Sequence, residues 1–67
     1  MNQAEALKKS LELNYMTQAE LSLRTRISKK HISEMVTWKK RITERVSMTL
    51  HYVFGVEEFY FSRLDFK

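Results

Sequence analysis

Apolar side chains recur along this chain three and four residues apart, the spacing of one face of an α-helix, and the chain reads as all-helical. Leu7 and Leu11 lie four apart behind Asn2, which is placed to cap a first helix over about residues 3–13. Asn14 is expected to end that helix in the left-handed region, which its side chain tolerates. Thr17 with Glu20 three positions on spells a capping box, flanked by Met16 and Leu21 as a hydrophobic staple. This is the clearest helix start in the chain, and the spacing carries the helix to about Thr25, burying Leu21 and the small Ser22. Ser28 opens the next, from Lys29 to about Val36, with Ile32 and Met35 as anchors three apart. Thr43 caps a fourth helix, Glu44 to about Phe54, with a stripe of Val46, Leu50, Val53 and Phe54 and with Ser47 at a close-packing position. Gly55, the only glycine, falls where a helix terminator needs positive φ. Two acids, favourable at a helix N-terminus, open a last helical segment over 57–64 carrying Phe59, Tyr60, Phe61 and Leu64.

At 67 residues the chain makes one domain, 1–67, and a chain of this size buries only about 60% of the surface its unfolded form exposes. Cysteine is absent, so neither a disulfide framework nor a thiolate metal site supplements the core. His31 and His51 are far apart and have no Asp or Cys companions at ligand spacing, which reads as two ordinary boundary histidines and no metal or other cofactor. No apolar run approaches the roughly 18 to 20 residues of a membrane span, and the N-terminus lacks the basic-then-apolar pattern of a signal peptide. A soluble cytoplasmic protein with no membrane partner is the expectation. Glu20, Glu34 and Glu44 occupy cap, surface and first-turn positions, and no nucleophile-base pairing or phosphate-cradling glycine loop is visible, so no enzyme is expected.

Charge changes the picture more than composition does. Between Arg24 and Arg45 stand eight basic residues, Arg24, Arg26, Lys29, Lys30, Lys39, Lys40, Arg41 and Arg45, against two acids, Glu34 and Glu44. That third of the chain carries +6 of a net +4, leaving −2 for the remainder. A charge run is usually a solvated face, but here it coincides with the third helix and the loop after it, which is the electrostatic footprint of a nucleic-acid surface.

Thr17-Gln18-Ala19-Glu20-Leu21, Ile27-Ser28-Lys29-Lys30-His31-Ile32-Ser33-Glu34, Lys39 followed by Ile42-Thr43, and Phe54-Gly55-Val56 occur in an order that resembles the Xre/Cro family of phage-repressor-like DNA-binding domains. The HigA-type antitoxin domains, and similar domains at the N-termini of regulators that continue into a metallopeptidase domain, look closest. The resemblance covers about residues 5–64 and implies a compact five-helix, lambda-repressor-like helix-turn-helix fold in a transcriptional repressor or autoregulatory antitoxin. The chain departs from the family pattern in four places. Arg26 stands where the turn between the two motif helices usually holds glycine, Thr37-Trp38 where Asn-Gly usually follows the recognition helix, and Ser22 and Ser47 where alanine is preferred. A left-handed Arg26 costs on the order of 1 kcal/mol relative to glycine, so the turn is expected to be either shifted or mildly strained.

A helix-turn-helix inserts its second helix into the major groove. With Ile32 and Met35 facing the core, the opposite arc holds Lys30, Thr37, Ser33 and Glu34, with Lys29 at the tip. These five, on segment 29–37, are the expected base contacts. Lysine donates to guanine O6 and N7, glutamate accepts from cytosine N4, and the hydroxyls bond either way or touch a thymine methyl. Gln18, Ser28, Lys39, Lys40 and Arg41 are the expected phosphate contacts, helped by backbone N–H groups at helix N-termini. Trp38 either leans on the sugar-phosphate backbone or covers the core beneath its loop, and His31 is expected to stand by.

Six of the eight aromatic residues follow His51. Three consecutive aromatics cannot all face one core, since helix neighbours are about 100° apart. One account has Phe59 and a neighbour closing the core with the Tyr60 hydroxyl in water. The other makes Phe59, Tyr60 and Phe61 a dimer surface, suited to a homodimer on two half-sites of double-stranded DNA. The competing function is a helical protein-interaction module that binds a toxin or other partner protein without touching DNA, although such a module has no need of basic residues at the third helix.

Overall fold

Side-chain caps decide where the helices begin in the computed structural model, which describes all 67 residues. Five helices form and no strand: α1 (Gln3–Leu13), α2 (Gln18–Thr25), α3 (Lys29–Val36), α4 (Glu44–Phe54) and α5 (Tyr60–Arg63). None is long and apolar enough to cross a membrane. At α1 the Asn2 Oδ1 accepts the Glu5 N–H at 2.9 Å, while the Glu5 carboxylate accepts the Asn2 N–H at 3.2 Å. The start is therefore a reciprocal capping box, satisfying two of the donors that a helix end leaves orphaned. Thr17 and Glu20 make the same exchange at α2, and Ser28 and Thr43 accept from the third helical N–H of α3 and α4.

One buried cluster joins all five helices. Leu7, Leu11, Leu21, Ile32, Met35, Leu50 and Phe61 belong to it, together with Ile42 from the loop between α3 and α4. Met16 packs against the same cluster that holds Leu21, as a staple requires. Serines at two of the divergent positions find backbone partners: the Ser22 hydroxyl donates to the Ile27 carbonyl at 2.6 Å, and that of fully buried Ser47 to the Glu58 carbonyl at 2.9 Å.

Two expected helix ends are corrected. Asn14 is not left-handed; its φ is −100° and its amide bonds back to the Ser10 carbonyl at 2.7 Å. The left-handed residue is Tyr15, at φ 50°, so the chain reverses one residue later. The last helix does not span 57–64 but only Tyr60–Arg63. Phe59 sits at its N-cap and has no side-chain oxygen to offer the first turn, while the Glu58 carbonyl is engaged by Ser47 and the Val56 carbonyl accepts from the His51 ring Nδ1. Those bonds tie the Val56 and Glu58 carbonyls to α4, while the Glu57 carbonyl accepts the Tyr60 N–H at 3.1 Å in the turn that leads into α5. Gly55 terminates α4 at φ 71°, as its position demanded.

The aromatic cluster is also corrected. Phe61 is 0% exposed and stacks edge-on against Tyr60 and tilted against Phe54, so it is a core residue and presents nothing to a second copy. Phe59 and Tyr60 are half-buried.

Candidate nucleic-acid interface

Three residues, Arg26, Ile27 and Ser28, connect α2 to α3. Arg26 turns the chain in the left-handed region at φ 63°, its N–H closing on the Ser22 carbonyl at 2.8 Å. The turn is therefore in the register that a glycine would occupy, with arginine bearing a mild strain. Side chains lock it from both sides. The Thr25 hydroxyl accepts the Ile27 N–H at 3.2 Å, and the Ser22 hydroxyl takes the Ile27 carbonyl. Ile27 is thereby pinned against the core cluster, and Ser28 follows directly as the α3 cap.

On α3 the buried side is Ile32, Met35 and Val36. Lys29, Lys30, Ser33 and Thr37 are exposed, and Lys30, Ser33 and Thr37 follow one another at intervals of three and four, which aligns them in a single stripe. Glu34 is half-buried, beneath a loop whose Lys39 and Lys40 N–H groups both donate to its carbonyl, at 2.8 and 3.1 Å. Thr37 departs from its expected role in one respect. Its hydroxyl donates to the Ser33 carbonyl at 2.7 Å, so toward a base edge it offers a lone pair or its methyl but not a proton. Gln18 is exposed at the first position of α2, and Ser28 keeps its hydroxyl proton while its oxygen accepts from His31.

The loop bearing Lys39, Lys40 and Arg41 is clamped at both ends to the start of α1. At one end Trp38, left-handed at φ 63°, donates its indole N–H to Asn2 Oδ1 at 3.2 Å, and Lys8 on α1 places its ammonium 5.4 Å from the indole centroid. At the other end Gln3, 1% exposed, pairs its whole amide with the backbone of Ile42. The backbone N–H of Gln3 in turn donates to the Asp65 carbonyl at 2.9 Å, and the Arg41 guanidinium lies 5.2 Å above the Phe66 ring. One helical turn of α1 thus fixes the basic loop and the C-terminal segment together. Trp38 is turned back onto α1 by these contacts, although the residue remains 45% exposed.

Charge on this surface is uncompensated. The one ion pair in the molecule, Glu57 with Arg63 at 3.5 Å, lies at the surface near α5. None of the eight basic side chains from Arg24 to Arg45 has a carboxylate within ion-pair reach, not even Glu34 or Glu44. Asn2, Gln3 and Lys8 were missed in reading the sequence as parts of this surface, because their partners lie 30 to 39 positions away and no local pattern announces them. No protein-family model, no curated protein and no solved structure matches the chain.

Proposed function

We propose that this chain is a sequence-specific DNA-binding domain of a transcriptional regulator, acting in the cytoplasm as a repressor or autoregulatory antitoxin and reading the major groove with α3. The observation that carries the reading is the unpaired basic surface. An exposed stripe of lysines and hydroxyls on one helix adjoins a rigidly anchored loop of three cations, and no carboxylate of the chain neutralises either. Exposed, unpaired lysine and arginine on a helix and on the loop that follows it suit a polyanion, since each phosphate contact releases condensed counterions. The helix offers base-edge chemistry through Lys29, Lys30, Ser33 and Glu34, with Thr37 as acceptor, while the loop and the α2 and α3 N-termini offer phosphate chemistry through Lys39, Lys40, Arg41, Gln18 and Ser28. Membership of the Xre/Cro family is part of the proposal. It is supported by Arg26 and Trp38, which take left-handed backbone conformations at the two positions where that family carries glycine.

A second reading, a module that binds a toxin or other protein through its helices, is favoured by apolar side chains that the core leaves out. Tyr15 is 95% exposed and Leu23 on α2 is 83% exposed, and neither carries charge toward a polyanion. Binding to a short duplex library at about 50 and 200 mM salt separates the two. A steep salt slope with a selected palindrome supports DNA recognition. Absence of binding to any duplex at the lower salt sinks it in favour of the protein module.

A further inference from the structure

We propose that Lys8, on α1, is a further DNA phosphate contact, presented by Trp38 beside the basic loop; the inference rests on the DNA-binding reading above. Trp38 is the residue on which three features converge. Its backbone is left-handed, which is an outlier for a bulky side chain. Its indole N–H is fixed on Asn2, and its ring face receives Lys8. The two anchors turn the indole back along α1, so the ring forms a bridge between that helix and the loop where Lys39 and Lys40 follow immediately. The helical period puts Lys8 on the side of α1 that meets Trp38, whereas Lys9, one residue on and rotated by about 100°, meets no ring.

The Lys8 ammonium stands 5.4 Å from the indole centroid, held toward the ring face by cation–π attraction on the exposed surface. The Lys8 ammonium has no carboxylate partner, so all three of its protons are free for an oxygen ligand. The indole restricts where the ammonium can stand without taking a hydrogen-bond donor from it. A cation so placed, against the residue that immediately precedes Lys39 and Lys40, adds to the positive charge that this loop offers the phosphodiester chain beside a groove-bound helix. In helix-turn-helix complexes the first motif helix, here α2, crosses that backbone while the second enters the groove, and Lys8 joins this surface from α1 through its contact with Trp38. Lys8 therefore extends the phosphate-binding surface from the loop onto α1 and supplies no base information.

The test compares Lys8→Met with Lys9→Met in the full chain. Methionine keeps a flexible unbranched side chain beside the indole and removes the charge, and with it the cation–π contact. Affinities for a selected palindromic duplex and for a random duplex are measured from about 50 to 200 mM salt. Lys8→Met is expected to weaken both duplexes alike, by roughly two- to fivefold as for one exposed ion pair, and to lower the salt slope by about 0.9. Lys9→Met is expected to leave the slope as in the wild type. Equal slopes for the two variants, or a loss confined to the palindrome, overturn the assignment while leaving DNA binding intact. A wild-type chain that binds neither duplex at the lower salt overturns the DNA-binding reading and this inference with it.

Discussion

Gln3 and Ile42 are joined by both halves of one side-chain amide. Gln3 Nε2 donates to the Ile42 carbonyl at 3.2 Å, and Gln3 Oε1 accepts the Ile42 N–H at 2.7 Å. The pair mimics a backbone ladder across 39 positions, and it lies in the interior with Ile42 itself in the core. A loop that must leave α3, carry three cations and still return to α4 is thereby closed on a helix with no strand available to receive it.

Gln3→Met is expected to destabilise the domain by about 2 to 4 kcal/mol, since it orphans a buried donor and a buried acceptor at once. For a domain of this size that corresponds to a fall in Tm of roughly 4 to 8 °C for each kcal/mol. Thermal unfolding followed by circular dichroism checks it, and a drop below about 4 °C contradicts the clamp.

Arg26→Gly is expected to raise stability by about 0.5 to 1 kcal/mol, because Arg26 occupies the left-handed region at φ 63° without the freedom glycine has there. Gly55→Ala supplies the opposite sign. A Cβ at Gly55 meets nothing within 4 Å, so the expected loss of about 1 kcal/mol comes from its φ of 71° alone. Urea midpoints for the two variants should move in opposite directions, and a destabilised Arg26→Gly protein removes backbone strain from the account of the turn.

The first four helices were legible in the sequence because their signals are local: Asn2, Thr17, Ser28 and Thr43 are each within three residues of the N–H they accept. So was the α3 face, which follows from Ile32 and Met35 and the helical period. What escaped is long-range or competitive. The clamp of the loop on α1 joins residues 36 and 39 positions apart. The late start of α5 goes with Ser47 and His51 of α4 engaging the Glu58 and Val56 carbonyls, contacts that no local pattern announces. In the Phe59-Tyr60-Phe61 run, periodicity says only that the three cannot share a face, and the packing of Phe61 against Phe54 decides which one is inside.

Lys30→Ala is expected to weaken binding to a selected operator by about 1 to 3 kcal/mol with little effect on random duplex, as for loss of a base contact from the exposed stripe of α3. Lys40→Ala removes a cation from the loop, and should weaken every duplex alike and lower the salt slope by about one. Titrations of both variants against both duplexes decide the roles. Equal losses for Lys30→Ala on operator and random DNA place Lys30 with the phosphate contacts.

Self-association, if α5 carries it, must use Phe59 and Tyr60, because Phe61 is wholly enclosed. The two classes of residue then respond differently to truncation. Phe61→Ala is expected to cost about 3 to 5 kcal/mol as a core deletion, a large part of the roughly 3 to 10 kcal/mol that stabilises a domain of this length. The expected result is an unfolded or barely folded chain, whatever its oligomeric state. Phe59→Ser removes only a half-buried ring from the surface beside α5, so the variant should keep its helical spectrum. Sedimentation at high micromolar concentration is expected to give a dimer for the wild type and a monomer for Phe59→Ser. A wild type that stays monomeric, including in the presence of duplexes carrying two half-sites, rules out this surface and leaves Phe59 and Tyr60 as the outer wall of the core.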